Sequence, residues 1–416
     1  MLLNKARALE YMRRCEVDVL IATSPVNITY FTGYYCWLDP LFKDYMMVPG
    51  ASSDLGQRYA VLPLDGEAAL VVSPLFAVNA ADLWVNDLHF FGGSGLDFSL
   101  DADVLPEPSQ HLFDHLRAPI PNNTPTDALL TILKARGLSD ARIGIEMEGL
   151  TPRARNELTR GLPNAQLKDS SNLIRLIRMV KSEEEIRRLA RAAEISEIAA
   201  MEALALPGSR TADLVQHYRA RIAQLGADFD HFAYGMYGMG IATEPAHVLG
   251  GDSVEYVDFG CRYHYYFSDS GTTLAQRALP PALEKRYAAL QASMDAGKKL
   301  LRPDVKASVV QAAMQQALKE HEITESFPHG HGVGLEVRDY PIIVPDSGLR
   351  IRDGCVDVPA DLPLEANMVV NLEAPLFLAG VGSLHIEETY LITANGYQPL
   401  VAQERSGVFI PAAVAG

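Results

Sequence analysis

Two aspartates in the middle of the chain stand where a buried apolar residue would be expected. Asp258 and Asp269 lie eleven positions apart in the stretch YVDFGCRYHYYFSDSGTT, within runs of the Val, Phe and Tyr residues that are typical of β-strands. A carboxylate that leaves water is stable only when it is paired, hydrogen-bonded or bound to a metal ion. The sequence must therefore supply partners for both aspartates.

Three further residues in the C-terminal half are candidates for the same site. His331 lies between glycines in PHGHGVGLEV, where the backbone can approach an ion or a substrate closely. Glu373 in VVNLEAP and Glu387 in LHIEETYLI lie fourteen positions apart, each in an apolar run that predicts a strand. Any one of these carboxylates could be an ordinary hydrogen-bonded strand residue, but all five residues together favour a metal site.

Four carboxylates and one imidazole indicate the kind of metal. Oxygen ligands with a single nitrogen suit manganese, iron, cobalt or zinc, and they do not suit a tetrahedral thiolate zinc site. Four negative charges exceed what one divalent ion neutralises, so two ions fit better. Two ions roughly 3.5 to 4 Å apart, bridged by two of the carboxylates, could hold a hydroxide between them and hydrolyse a C–N bond.

The elements that must position these residues divide into two parts. Residues 1–165 alternate strand and helix patterns, which predicts a small α/β domain, with a helix at residues 4–15 and a strand at Val17–Ala22. A polar interval near residues 164–172 marks a boundary. Residues 173–416 form the second, catalytic domain, in which helices come first and strands and loops follow from Pro328 onward.

The first helix of the second domain has a strong start signal. Ser182 with Glu185 three residues later forms a capping box, and a second helix follows at Thr211–Gln224. We assign the charged residues of both helices to a solvated face. In the first domain, the aromatic segment NITYFTGYYCWLDP is interpreted as packing in preference to a substrate-facing surface.

In order and in spacing, the segments DFG…SDSGTT, GHGVGLE, NLEAP and IEET resemble the metal motifs of the prolidase, aminopeptidase P and creatinase family. The resemblance implies a small creatinase-like α/β N-terminal domain followed by a pita-bread α+β catalytic domain. It implies that Asp258 chelates one ion, that Asp269 and Glu387 bridge two, and that His331 and Glu373 bind the second. Glu373 would also transfer the proton of the metal-bound water, and a homodimer with the region near Trp37 at its interface is expected.

The chain departs from the family pattern around the metal residues. Arg338 stands where prolidase-like members usually have a histidine, and His385 stands where they tend to have an arginine. Arg338 could therefore hold a substrate carboxylate and His385 could supply the imidazole, or Arg338 could form an ordinary surface ion pair. His247 resembles a family histidine at a shortened distance from Asp258, and His329 precedes His331 by two positions instead of four.

Because of these departures, the motifs do not identify the substrate. The first expectation is a dinuclear-metal hydrolase of the Xaa-Pro peptidase type, with His247, His329, Arg338, His385 and Glu373 as its catalytic residues. A small-molecule hydrolase or lyase on the same fold, like the creatine, ectoine or sulfonium enzymes of the family, is the alternative. A non-catalytic binding module is the least favoured, since all five metal candidates are present.

Composition restricts the partners and the cellular location. The chain has 416 residues and a formal net charge of −16, and nucleic acids and anionic membranes both demand a basic surface. Its N-terminus has no uninterrupted apolar segment like that of a signal peptide, so a cytoplasmic protein is expected. The four cysteines are far apart without a CxxC pair, which suits reduced thiols.

Overall fold

The computed structural model describes residues 1–38, 49–50, 56–93, 105–106, 109–206, 210–244, 246–401 and 407–411. The chain divides into two compact units, one formed by Met1–Arg178 with Ile351–Val358 and the other by Met179–Arg350 with Pro359–Gly416. This division lies close to the polar interval at which the sequence predicts a domain boundary. It also assigns a short segment near residue 355 to the first unit, which no local pattern in the sequence indicates.

The first unit is built on a mixed six-stranded sheet. Its helices are α1 (Lys5–Arg14), α2 (Pro25–Thr32), α3 (Ser109–Arg117), α4 (Pro125–Ala135), α5 (Pro152–Gly161) and α6 (Ser171–Arg178), and its strands are β1 (Val19–Ala22), β2 (Tyr59–Pro63), β3 (Ala69–Val72), β4 (Asp87–Phe90), β5 (Arg142–Ile145) and β6 (Gln166–Asp169). The strand order is β4-β3-β2-β1-β5-β6. Apolar residues of β1, β2, β3 and β5 pack against α4 and α5 to form the core.

The aromatic segment of the first unit contributes to packing. Helix α2 begins after Ser24, whose side chain accepts a hydrogen bond from the Asn27 N–H, and ends at Gly33 in the left-handed conformation. Tyr30 and Phe31 are fully buried on this helix, as is Tyr34 just beyond it. The last two residues of the segment, 39 and 40, lie outside the described residues.

The second unit contains one large, mainly antiparallel sheet with helices against it. Its helices are α7 (Glu183–Leu204), α8 (Thr211–Gln224), α9 (Pro281–Lys298) and α10 (Ala307–Glu320). Its strands are β7 (Asp228–Gly235), β8 (Ile241–Ala242), β9 (Val254–Tyr263), β10 (Tyr266–Phe267), β11 (Ser270–Ala275), β12 (His329–Gly332), β13 (Asp339–Ile343), β16 (Val369–Leu378), β17 (Gly382–Thr393) and β18 (Gly396–Pro399), while β14 (Arg350–Arg352) and β15 (Asp357–Pro359) pair separately.

The order of the main sheet brings distant parts of the sequence together. The path runs β13-β12-β16-β17-β11-β9-β7-β8, with β10 beside β9 and β18 beside β17. Helices α7 and α8 pack on the half of the sheet that contains β7, β9 and β11, and α9 contacts β16 and β17. In the part of the chain that the structure describes, no helix is long and apolar enough to cross a membrane.

The predicted capping box at the start of α7 is present, but the expectation that its charges are solvated is wrong for Glu185. The Glu185 carboxylate accepts hydrogen bonds from the Ser182 backbone N–H at 2.7 Å and from the Tyr266 hydroxyl at 3.1 Å. Glu185 is buried, with only 2% of its surface exposed to solvent. Its buried neighbours include Lys181, which forms an ion pair with Asp339 at 3.2 Å. Capping and tertiary packing thus use the same carboxylate.

Replacing Glu185 by Gln should flatten the pH dependence of folding stability. Burial raises the pKa of Glu185 from 4.5 to about 7. In that interval the folded state binds a proton that the unfolded state releases, so wild-type stability falls as the pH rises. The measurement is the free energy of urea unfolding between pH 4.5 and pH 8. Glu183→Gln, at an exposed position of the same helical turn, is the control that should keep the wild-type slope, and an unchanged slope in Glu185→Gln would contradict the prediction.

Candidate metal centre

One row of residues runs across five neighbouring strands of the main sheet. Asp258 on β9 pairs with Gly271 on β11, and Gly271 pairs with Glu387 on β17. Glu387 pairs with Glu373 on β16, which pairs in turn with His329 on β12. Directly opposite residues of an antiparallel pair point to the same face of the sheet. We call these five residues, Asp258, Gly271, Glu387, Glu373 and His329, the carboxylate row.

The remaining predicted metal residues lie one pleat away from this row. Side chains alternate along a strand, so residues two positions apart share a face. Asp269 precedes Gly271 by two positions, His331 follows His329 by two, and His385 precedes Glu387 by two. The five residues that the sequence nominates as metal ligands are therefore brought to one face of the sheet.

The opposite face of β9 accounts for the alternation around Asp258. Val257 and Phe259 are fully buried in the core formed with α7 and α8, while Asp258 between them points to the other side of the sheet. Tyr256, on the same side as Asp258, donates a hydrogen bond from its hydroxyl to Asp258 Oδ2 at 2.8 Å. Asp258 thus lies on the face of β9 that carries the cluster, while the other face of the strand packs in the core.

Three overlapping groups of side chains bring ligand atoms within 4.8 Å of one another. The groups are His231 with Asp258 and Asp269, Asp269 with His331 and Glu387, and Glu373 with His385 and Glu387. His331 Nε2 lies 3.3 Å from Asp269 Oδ2. Because Asp269 and Glu387 each belong to two groups, they have the positions expected of bridging ligands.

His231 is a member of this cluster that the sequence analysis did not select. It lies on β7, with Nε2 2.8 Å from Asp258 Oδ1 and 3.5 Å from Asp269 Oδ1, and its Nδ1 lies 2.8 Å from Asp230 Oδ2. Gly260 makes room for the ring, since a Cβ there would lie 2.5 Å from His231 Cε1. The signal in the sequence was the charged pair Asp230-His231 inside the aromatic run FDHFAYG, the same anomaly that marks Asp258.

Glu373 has two cationic neighbours, both of which the sequence predicts as catalytic residues. Its Oε1 lies 2.7 Å from His329 Nε2 and 3.3 Å from a terminal nitrogen of Arg338. The Arg338 side chain is 54% exposed, while Glu373 is buried. Arg338 therefore lies at the rim of the cluster, with one end on Glu373 and the rest of the guanidinium open to solvent.

His247 does not join the cluster. Its Nε2 lies 3.3 Å from Glu255 Oε1, and Glu255 leaves β9 on the face opposite to that of Asp258. Its ring packs beside Tyr234 and Tyr237, and burial lowers the pKa of His247. The catalytic role that the sequence predicts for this residue stays a prediction, and this geometry does not support it.

Burial and crowding shift the acidities of the cluster in opposite directions. Burial raises the pKa of Glu387 well above its usual range, and the charges of Asp269, Asp258 and Glu373 act in the same direction. Burial also acts to raise the pKa of Glu373, but its histidine neighbours outweigh that effect and hold it below its usual range. The carboxylates thus repel one another unless cations lie among them.

The donor set fits divalent metal ions. Three buried atoms in the cluster have no hydrogen-bond partner, namely His331 Nε2, His385 Nε2 and Glu387 Oε2. Each such atom costs about 1 to 3 kcal/mol when it is left unsatisfied. Carboxylate oxygens and neutral imidazole nitrogens are ligands of first-row divalent ions. A bound ion would satisfy these atoms and offset the repulsion between the carboxylates.

Two sequence profiles cover most of the chain. The creatinase/prolidase N-terminal domain matches residues 5–180, and metallopeptidase family M24 matches residues 184–394. An Xaa-Pro dipeptidase of Pyrococcus horikoshii is 29% identical over 154 residues, which are 36% of this chain and 39% of that protein. An uncharacterised hydrolase/peptidase of Sinorhizobium fredii is 25% identical over 96% of this chain and 94% of its own length.

Solved structures with this fold include two peptidases. The prolidase of Pyrococcus furiosus superimposes with a TM-score of 0.66 at 21% identity, over 95% of this chain and all of that one. An X-Pro aminopeptidase of Thermotoga maritima gives a TM-score of 0.70 at 19% identity, over 96% of this chain and 99% of that one. These likenesses show the fold alone. Together with the two profiles they confirm the predicted creatinase-like domain and pita-bread domain.

The M24 profile spans more than half of the chain and contains every residue of the cluster described above. The resemblance inferred from the metal motifs is therefore confirmed, and so is the expectation of a peptidase-type hydrolase that depends on divalent metal ions. This chain belongs to metallopeptidase family M24.

Proposed function

We propose that this enzyme is a dinuclear-metal hydrolase of the Xaa-Pro peptidase type that cleaves the C–N bond of a dipeptide or a small amide. The observation that carries the proposal is the carboxylate row with Asp269 and His331 beside it, because it concentrates four carboxylates and unsatisfied imidazole nitrogen on one face of a sheet. The names of the relatives, which include an Xaa-Pro dipeptidase, support the choice of substrate class.

The proposed ligand set is that implied by the motifs. Asp258 would hold one ion, His331 and Glu373 would hold the second, and Asp269 and Glu387 would be shared by both. Manganese, iron, cobalt and zinc all suit such a set. Ions of this kind lower the pKa of a water molecule toward neutrality and polarise a carbonyl group.

We assign the transfer of a proton to Glu373. Its Oε1 accepts hydrogen bonds from His329 and Arg338, which fixes the orientation of the carboxylate. A carboxylate held in this way can accept the proton of the attacking water and deliver it to the leaving nitrogen. His329 acts as a positioning residue, since its Nδ1–H donates to the Phe327 carbonyl at 2.9 Å and its Nε2 faces Glu373.

We assign recognition of a substrate carboxylate to Arg338. Its exposed guanidinium lies at the rim of the cluster and has donors that the bond to Glu373 does not use. A planar guanidinium binds a carboxylate through two parallel hydrogen bonds. A free carboxylate close to the cleaved bond is a feature of dipeptides, so this residue would favour them over long peptides.

A homodimer remains part of the proposal. Trp37 is 62% exposed in the chain, which leaves its ring available for an interface. A cytoplasmic location likewise stays a prediction from the N-terminal sequence.

Replacing Asp269 by Asn should remove bound metal and activity together. The substitution takes away a negative oxygen that two of the three ligand groups share. Metal content by plasma mass spectrometry should be between one and two ions per wild-type chain and should fall sharply in the variant. Asp252→Asn removes the same charge from an exposed position and should keep the wild-type content. Full activity of a metal-free wild-type protein would instead favour a creatinase-like reaction.

Replacing Arg338 by Met should weaken binding of substrates that carry a free carboxylate. Loss of a charge-assisted pair corresponds to a rise in KM of about ten- to a hundredfold. The measurement compares an Xaa-Pro dipeptide with its C-terminal amide in both proteins, and the amide should show little difference. Equal KM values for the dipeptide in the two proteins would refute the assignment.

A substrate panel should separate peptidase activity from small-molecule chemistry. Xaa-Pro dipeptides, longer Xaa-Pro peptides, creatine and cyclic amidines would be assayed with the metal-loaded protein. We expect the highest kcat/KM for a dipeptide, because Arg338 can hold its carboxylate. Turnover of creatine or an amidine alone would transfer the assignment to the small-molecule alternative.

A further inference from the structure

His385 lies in a slot of the sheet that leaves its ring one orientation. Its side chain is completely buried, and its ring stacks on Tyr256 with the ring centroids 3.9 Å apart and the planes at 20°. Gly271, in the middle of the carboxylate row, supplies the space, since a Cβ there would lie 2.2 Å from both Cε1 and Nδ1 of His385. The slot thus depends on glycine at that position.

A hydrogen bond to the backbone determines which nitrogen of His385 is available. Nδ1 lies 3.1 Å from the Val257 carbonyl oxygen. A carbonyl oxygen only accepts, so Nδ1 carries the hydrogen, and Nε2 of the neutral ring carries the free lone pair. Nε2 has no hydrogen-bond partner and is directed at the cluster.

The distances around Nε2 are those of a gap that an ion could fill. Nε2 lies 3.7 Å from Glu373 Oε2 and 3.8 Å from Glu387 Oε2. These separations are too long for hydrogen bonds. They match ligand atoms that each lie about 2.0 to 2.2 Å from a shared ion, which are roughly 3 to 4 Å apart. His329, by contrast, approaches Glu373 to 2.7 Å and already has its hydrogen bond.

His331 has the same arrangement at the neighbouring ligand group. Its Nδ1 lies 3.0 Å from the Gly332 carbonyl oxygen, and its Nε2 is buried without a hydrogen-bond partner. Metal-binding histidines commonly donate their second N–H to a carbonyl or carboxylate, which fixes the tautomer and the ring. Within the described cluster, His331 and His385 combine such a bond with a buried Nε2 that has no hydrogen-bond partner, and the motifs account only for His331.

We propose that His385 is a sixth metal ligand, which binds through Nε2 together with Glu373 and Glu387. The proposal rests on the metal centre of the proposed function and adds a nitrogen to the second ion. Imidazole suits zinc and iron, whereas carboxylate-rich sites suit manganese. His385 therefore favours zinc or iron over manganese at this position, and it leaves Glu373, His329 and Arg338 to handle the proton and the substrate.

The test measures metal binding and not turnover. The chelator-treated full-length protein would be titrated with Zn²⁺ and with Mn²⁺ in competition with a chromophoric chelator, for wild type, His385→Gln, His385→Arg and the control His321→Gln. Both His385 variants should lose at least tenfold in zinc affinity at one site and less in manganese affinity. His321→Gln, at an exposed position outside the cluster, should remain within about threefold of wild type.

X-ray absorption of the zinc-loaded protein gives a second readout, which reports the ligands of the ion directly. Fitting the spectrum should require more than one histidine ligand for every two zinc ions. The number of histidine ligands per zinc should fall in His385→Gln. If both His385 variants keep the wild-type zinc affinity and the wild-type imidazole signal, the assignment of His385 is wrong, while the metal centre of the proposed function still stands. A wild-type protein that binds neither zinc nor manganese would overturn it together with the metal centre of the proposed function.

Discussion

Repulsion between four clustered carboxylates, three of them buried, is the constraint on which the catalytic unit depends. Glu373 and Glu387 lie directly opposite each other on adjacent strands, an arrangement that destabilises a sheet when both are charged. Asp258 and Asp269 add two more charges on the same face, and burial withdraws water that would otherwise screen them. The sheet is compatible with this row because Gly271 leaves space within it and because cationic groups surround it.

The histidines around the row are each fixed by a second contact. The Asp230 carboxylate bonds to His231 Nδ1. The Nδ1 atoms of the other three histidines bond to backbone carbonyl oxygens, that of His331 to Gly332, that of His385 to Val257 and that of His329 to Phe327. Strand positions restrict the backbone, and these contacts restrict the rings. A site built in this way needs little rearrangement when an ion binds, which is the physical meaning of preorganisation in a metal centre.

Differences from the family pattern are concentrated on the side of the row that contains Glu373. Arg338 and His385 both have atoms within 4 Å of this carboxylate, so a change at either position alters the same functional group. The three carboxylates of the row lie in the segments that resemble the family motifs. Under the proposed function, the carboxylates of the row would hold the metal ions together with Asp269 and His331, and Arg338 would bind the substrate beside Glu373.

The sequence by itself determined the elements whose signals are local. The capping box of Ser182 and Glu185 predicts the start of α7, and charged residues in apolar strands identify Asp258, Asp269, Glu373 and Glu387, because both signals arise within a few neighbouring residues. Tertiary structure alone decided strand order and register. Pairing of β7 with β9 brings His231 to Asp258, the face of β9 separates His247 from the cluster, and packing buries Glu185, since all three depend on contacts between segments far apart in the chain.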